Sequence, residues 1–133
     1  MEHRATELKE RTKCFVLRVI RVTRALPPGA ESRMIASQLF RSATSAAANY
    51  RAVCRARSRR DFLAKLSIVI EETDESAFWL ELLVDANFMP AAKLKELRSE
   101  ATQLVAILNA SRTTAKKGLH STIKNQQSST GAQ

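Results

Sequence analysis

Apolar positions return along this chain at alternating intervals of four and three, the spacing that keeps one stripe of an α-helix turned towards a partner. Leu8, Thr12, Phe15, Val19, Val22 and Leu26 form the first stripe, widened by Val16 and Ile20, and predict helix one from about Thr6 to Ala25. Lys9, Arg11, Lys13, Arg18, Arg21 and Arg24 fill the rest of its surface, and the run Pro27-Pro28-Gly29 removes backbone donors and stops it. Helix two begins near Glu31 or Ser32 and sets Ile35, Leu39, Ser42, Ala46, Asn49 and Val53 on one seam, with Met34, Ala43, Ala47, Tyr50 and Cys54 beside them. Helix three, from Arg59 to about Ala86, holds the longest unbroken register: Leu63, Leu66, Ile70, Thr73, Ala77, Leu80 and Val84. Its start is signalled by Ser58 with Asp61 three residues on, a side-chain acceptor followed by an acid in the first turn. After Asn87 and Phe88, Pro90 suits a first helical turn. Leu94, Leu97, Ala101, Leu104 and Leu108 then lay out helix four, which is expected to end near Thr113.

No stretch shows the strict alternation of a strand, so the fold class is all-α. Four amphipathic stripes joined by short links predict an antiparallel up-down-up-down four-helix bundle over residues 1–115. Residues 116–133 are rich in Ser, Thr, Gln and Lys, with too little apolar surface to order themselves, and are expected to form a flexible basic tail. Two features exceed what a simple core needs. Ser42 and Asn49 are polar positions on an apolar seam and require partners once buried. The predicted polar layer is Ser42, Asn49 and Glu72, with the Asn49 amide reaching across the bundle to Glu72 or Thr73. Second, Phe62, Val69, Phe78 and Leu82 lie off the helix-three seam, as do Trp79 and Leu83. That surplus predicts a second neighbour, namely another subunit meeting Phe62, Val69, Phe78 and Leu82 in a homo-oligomer.

Charge sharpens this picture. The formal net charge is +9 in 133 residues, a field that attracts polyanions. It is sorted by helix: residues 1–28 carry seven Lys/Arg against three acids, residues 29–60 seven against one, and residues 61–88 one Lys against seven acids. Arg51, Arg55, Arg57, Arg59 and Arg60 form the densest run, with no acid before Asp61. Together with Arg18, Arg21 and Arg24 of helix one they are the expected nucleic-acid-binding residues. Arginine suits that work, because its planar donor fork contacts phosphate and stacks on bases.

Catalytic chemistry finds little footing, and the expectation is a protein that is not an enzyme and carries no cofactor. Glu71, Glu72, Asp74 and Glu75 share a helix face, but a carboxylate di-metal bundle also needs Glu-x-x-His pairs, and His3 and His120 lie in the terminal segments. No metal is expected. Cys14 and Cys54 form no C-x-x-C pattern and read as reduced thiols of a cytoplasmic protein. The first residues are too charged for a signal peptide, and no apolar run reaches the ~18 residues of a membrane span. Two functions therefore compete: binding of RNA or DNA by charge and shape, and a scaffold whose cations dock an acidic partner enzyme.

The pattern RSATSAAANYRAVCRARSRRDF followed by LAKLSIVIEETDESAFWLELL resembles the small four-helix-bundle proteins encoded by intervening sequences of large-subunit ribosomal RNA genes. The likeness covers roughly residues 8–110. Ser45, Asn49, Ser58, Phe62, Ser67, Glu72 and Glu81 fit places in that family's pattern. Many members carry Ile-Ala-Glu-Gly after the helix-two Asn, where this chain has Tyr50-Arg51-Ala52-Val53, so a cation replaces the acid. The family includes the accessory proteins of diversity-generating retroelements, basic homopentamers that work with a reverse transcriptase and nucleic acid. The resemblance thus implies a pentamer, a reverse transcriptase as partner and a nucleic-acid ligand.

Overall fold

The protein is described by a computed structural model over residues 2–131. It consists of α1 (Glu2–Ala25), α2 (Ala30–Val53), α3 (Arg59–Asp85) and α4 (Ala91–Gly131), with no strand among the described residues. The all-α four-helix bundle expected from the periodicity is the observed fold. Each helix packs on the next in sequence, α2 on α3 most extensively. α1 and α4 close the ring of four with the lightest contact of the set.

The three links show why the chain turns where it does. At the first, Gly29 has φ 150°, a conformation that disfavours side chains, and the Ser32 hydroxyl donates to the carbonyls of Pro27 and Gly29. At the second, extended Ser58 caps α3 by accepting from the Asp61 amide at 3.0 Å, while the Asp61 carboxylate accepts from the Arg57 amide at 3.2 Å. At the third, Asn87 takes the left-handed conformation, φ 63°. Its amide donates to the Val84 carbonyl and that of Phe88 to the Leu83 carbonyl, the paired bonds that finish a helix and reverse the chain.

The core is a column of Leu, Ile, Val and Phe with small residues on α2. Leu39, Leu66, Leu80, Leu83, Leu94, Leu104 and Leu108 are fully buried, and Ala43 and Ala46 let α3 approach closely. On α3 the buried row is Leu66, Val69, Thr73, Ser76, Leu80 and Leu83 with Ile70, while Leu63, Ala77 and Val84 are only half-buried. The expected seam is therefore rotated towards α2. A three-four repeat allows two overlapping stripes, and the extensive α2 contact selects the one containing Val69, Ser76 and Leu83. This corrects the expected subunit interface. Val69 is 0% exposed within the core, and Phe62 and Leu82 are partly buried against it, which leaves Phe78, 51% exposed, as the outward member of the four.

The polar layer is corrected too. Ser42 and Ser76 share a hydrogen bond of 2.8 Å, and each hydroxyl also lies within reach of a carbonyl of its own helix. Thr12 and Thr73 bond back to Leu8 and Val69. Asn49, by contrast, donates to the Ser45 carbonyl at 2.8 Å and to the Ser45 hydroxyl at 3.0 Å, within its own helix. Glu72 lies at the rim, where Arg41 holds both Glu72, at 3.1 Å, and Glu75. An amide that can satisfy itself four residues back needs no partner across the bundle. No buried side-chain polar atom lacks a partner among the described residues.

α4 extends well beyond its expected end near Thr113. The residues expected as a flexible tail continue the helix to Gly131, and 132–133 lie outside the described residues. Among the residues whose side chains are described, Leu108 is the last buried one; from Asn109 to Ser128 every one is half-buried or exposed.

Candidate nucleic-acid interface

Alternating helix direction gathers three pieces of chain at one end of the bundle: the start of α1, the α2–α3 link and the later turns of α4. Arg51, Arg55, Arg57, Arg59 and Arg60 are all exposed there. Among the described residues the ion pairs are Arg11–Glu100, Arg41 with Glu72 and Glu75, and Lys65–Asp61, so none of the five arginines is in an ion pair, although the charge of Arg57 acts on the Asp61 carboxylate. The nearest acid in sequence, Asp61, is occupied by the Lys65 ammonium at 2.7 Å and by the Arg57 amide, and both hold its carboxyl below the usual carboxylate range.

Topology adds cations that sequence distance hid. Arg4 lies close enough to Tyr50 to act on its phenol, which places the start of α1 beside the last turn of α2. The guanidinium of Arg59 occupies the space beside Gly118, so that a Cβ built there would come within 2.9 Å of the Arg59 Cζ. That close approach puts Lys116 and Lys117, both exposed, next to the start of α3. None of Arg4, Lys116 and Lys117 was among the expected binding residues, because only the fold brings positions 4, 59 and 118 to one level.

The other expected cations fall elsewhere. Arg18 and Arg21 line a groove of about 290 Å³ between α1 and the start of α4, with Val22, Lys93, Lys95 and Glu96, and Arg24 follows one turn later. At 1.5 Å per residue, Arg21 is about 25 Å from Arg4 along α1. The eight expected arginines thus form two groups at opposite ends. The end with Arg18, Arg21 and Arg24 is mixed in sign, since Glu31, Glu81, Asp85 and Glu96 belong to the helix termini gathered there.

Aromatic stacking has little to work with at the basic end. Tyr50 is 6% exposed, and burial pushes its phenol far above the ordinary range, helped by Cys54 and opposed by Arg4. Its ring stays neutral and offers no exposed face for stacking. Trp79 lies on α3, half-buried, its indole N–H bonded to Glu75 at 3.1 Å and its ring edge-to-face with Phe78. The arrangement can neutralise a polyanion by charge. No group of three or more His, Cys, Asp or Glu among the described residues is placed to hold a metal ion, and no helix is long and apolar enough to cross a membrane.

Comparison with known proteins agrees with this architecture. A protein of unknown function from the S23 ribosomal protein family of Bacteroides thetaiotaomicron has a crystal structure that superposes with a TM-score of 0.73 at 28% identity, covering 79% of this chain and 97% of that one. No curated protein matches the chain. The family model for 23S rRNA-intervening sequence proteins matches residues 4–110, a span that takes in α1 to α3 and the buried part of α4. The chain belongs to the family of 23S rRNA-intervening sequence proteins.

Proposed function

We propose that this protein is a non-catalytic accessory factor that binds RNA or DNA by charge and shape, through the end of the bundle that carries the α2–α3 link. The observation that supports this most strongly is the run Arg51, Arg55, Arg57, Arg59 and Arg60, exposed and without acidic partners among the described residues. Five cations within ten residues, none of them in an ion pair among the described residues, favour a polyanion, whose counterions they displace. With no exposed aromatic platform at this end, recognition rests on phosphate spacing and groove shape instead of base identity.

The strongly basic balance of the chain also supports a role beside a reverse transcriptase, as the resemblance to retroelement accessory proteins implies. A scaffold that docks an acidic partner enzyme without touching nucleic acid is the competing reading, and the same arginines would serve it. The test is a folded variant with all five arginines replaced by Ala, titrated with labelled RNA and DNA across a salt series. The expected result is a large loss of affinity and a salt slope flattened by about four to five units on duplex DNA. Unchanged affinity and slope would remove the proposed interface. Failure of the unmodified protein to bind either polymer at low salt would leave the scaffold.

A further inference from the structure

The family match ends at residue 110, yet α4 continues to Gly131. This extension has the amphipathic layout of neither a core helix nor a membrane helix. Its half-buried positions are few, and the turns after Gly118 run about 20 Å past the level of the α3 start at 1.5 Å per residue. What it carries outward is charge: Lys116, Lys117 and Lys124 are exposed, with His120 between them, and there is no Asp or Glu from residue 101 to the end of the chain.

Its junction with the bundle is specific. A mid-helix glycine costs about 1 kcal/mol of helix propensity relative to alanine, and Gly118 stands where the Arg59 guanidinium lies against α4. The mid-helix glycine of the extension is therefore the residue that admits the first arginine of α3. This contact joins the extension to the Arg51–Arg60 run and makes one continuous basic surface from two segments some sixty residues apart in sequence.

We propose that the α4 extension is part of the nucleic-acid site, an arm whose lysines follow the phosphate backbone outward from the arginines of the α2–α3 link. This inference rests on the function proposed above and adds to it a ligand-binding segment outside the matched family fold. Nucleic acid fits the arm better than the other polyanionic partners. A membrane surface would call for large apolar side chains opposite the lysines, and the arm offers Leu119 and Ile123, both half-buried, among Ser, Thr, Asn and Gln. An acidic protein partner would call for an aromatic or Met anchor, and the large exposed apolar residues, Leu17, Met34, Phe40, Ile68 and Phe78, all lie outside the arm. A repeating phosphate chain needs only cations at helical intervals, and Lys117 and Lys124 recur on one face about 10 Å apart along the arm, with Lys116 beside them.

Two full-length variants with equal loss of charge decide the matter: K116A/K117A/K124A in the arm, and R18A/R21A/R24A at the opposite end. Each is checked for folding by circular dichroism and titrated with a labelled mixed-sequence single-stranded RNA and a DNA duplex over a salt series. The expected result is a salt slope flattened by about two units on RNA and nearly three on the duplex for the arm variant, with the slope of the opposite-end variant unchanged. Equal flattening by both variants would overturn the proposal, since overall charge and not the arm would then govern binding. An arm variant indistinguishable from the unmodified protein would overturn it while leaving the arginine link as the site. No binding by the unmodified protein would overturn both.

Discussion

At the scale of single residues, the polar side chains inside this bundle divide by whether they can satisfy themselves locally. Ser42 and Ser76 face each other across α2 and α3 at 2.8 Å, and each has a carbonyl of its own helix as a second partner. Replacing either by Ala is expected to cost about 1 kcal/mol. Replacing both is expected to cost less than the sum, because the one Ser42–Ser76 bond is already lost in either single variant; a double-mutant cycle in urea measures the difference. Asn49→Ala serves as the contrast and should stay within about 0.5 kcal/mol, since its amide bonds stay within one helix turn and Ala favours helix. Asp61 brings pH into the same argument. Its folded pKa is depressed by the Lys65 ammonium and the Arg57 amide, so its stabilising effect is complete above the ordinary carboxylate range. That effect is lost as pH falls through the folded value. The melting-temperature gap between the unmodified protein and Asp61→Asn should therefore be open at pH 7 and narrow progressively as pH falls below the ordinary carboxylate range.

At the scale of helices, α4 behaves as two elements. Up to Leu108 it is held by the core; beyond that, through Ser128, no side chain is buried. A helix without an amphipathic face docked on a partner derives little stability from its own hydrogen bonds. Hydrogen exchange should accordingly show strong protection from Leu94 to Leu108 and fast exchange after Gly118. Gly118→Ala should slow exchange across residues 115–128 through its better helix propensity, and should displace only the mobile end of Arg59. Protection as strong after Gly118 as before Leu108 would show that something else holds the arm.

At the scale of the whole molecule, the bundle is polar along its axis and apolar in patches on its sides. One end is dominated by cations, with Glu7 and Asp61 among them, the other is more evenly mixed, and α3 carries acids on its outer face. Ile68 and Phe78 on that helix, and Met34 and Phe40 on α2, are between 44% and 64% exposed. An acidic, partly apolar α3 and a basic α1 and α2 suit head-to-tail contact between copies, which closes into a ring when the rotation permits. We therefore expect a homo-oligomer, with five subunits implied by resemblance alone. Light scattering on nuclease-treated protein checks it: a species near the 14.8 kDa of one chain across micromolar concentrations would refute assembly. A ring of another size would refute only the five.

The sequence by itself determined the class of fold and the helix borders up to the start of α4, but not the run of α4 past Thr113. Periodic Leu and Val, the Pro27-Pro28-Gly29 stop and the Ser58 cap are local signals, decided within a few residues by sterics and backbone hydrogen bonding, and the helix borders of α2 and α3 follow them closely. Charge sorting was legible in the same way, because counting needs no geometry. Tertiary structure decided what depends on which neighbour each helix meets. The three-four repeat of α3 admitted two stripes, and α2 chose the one that buries Val69 and Ser76. Asn49 was free to turn inward or back on Ser45, and turned back. Arg18 and Arg51 look alike in a charge count, yet antiparallel packing sends them to opposite ends and joins Arg59 instead to Gly118, because position along the bundle axis is a property of the assembled helices and of no single segment.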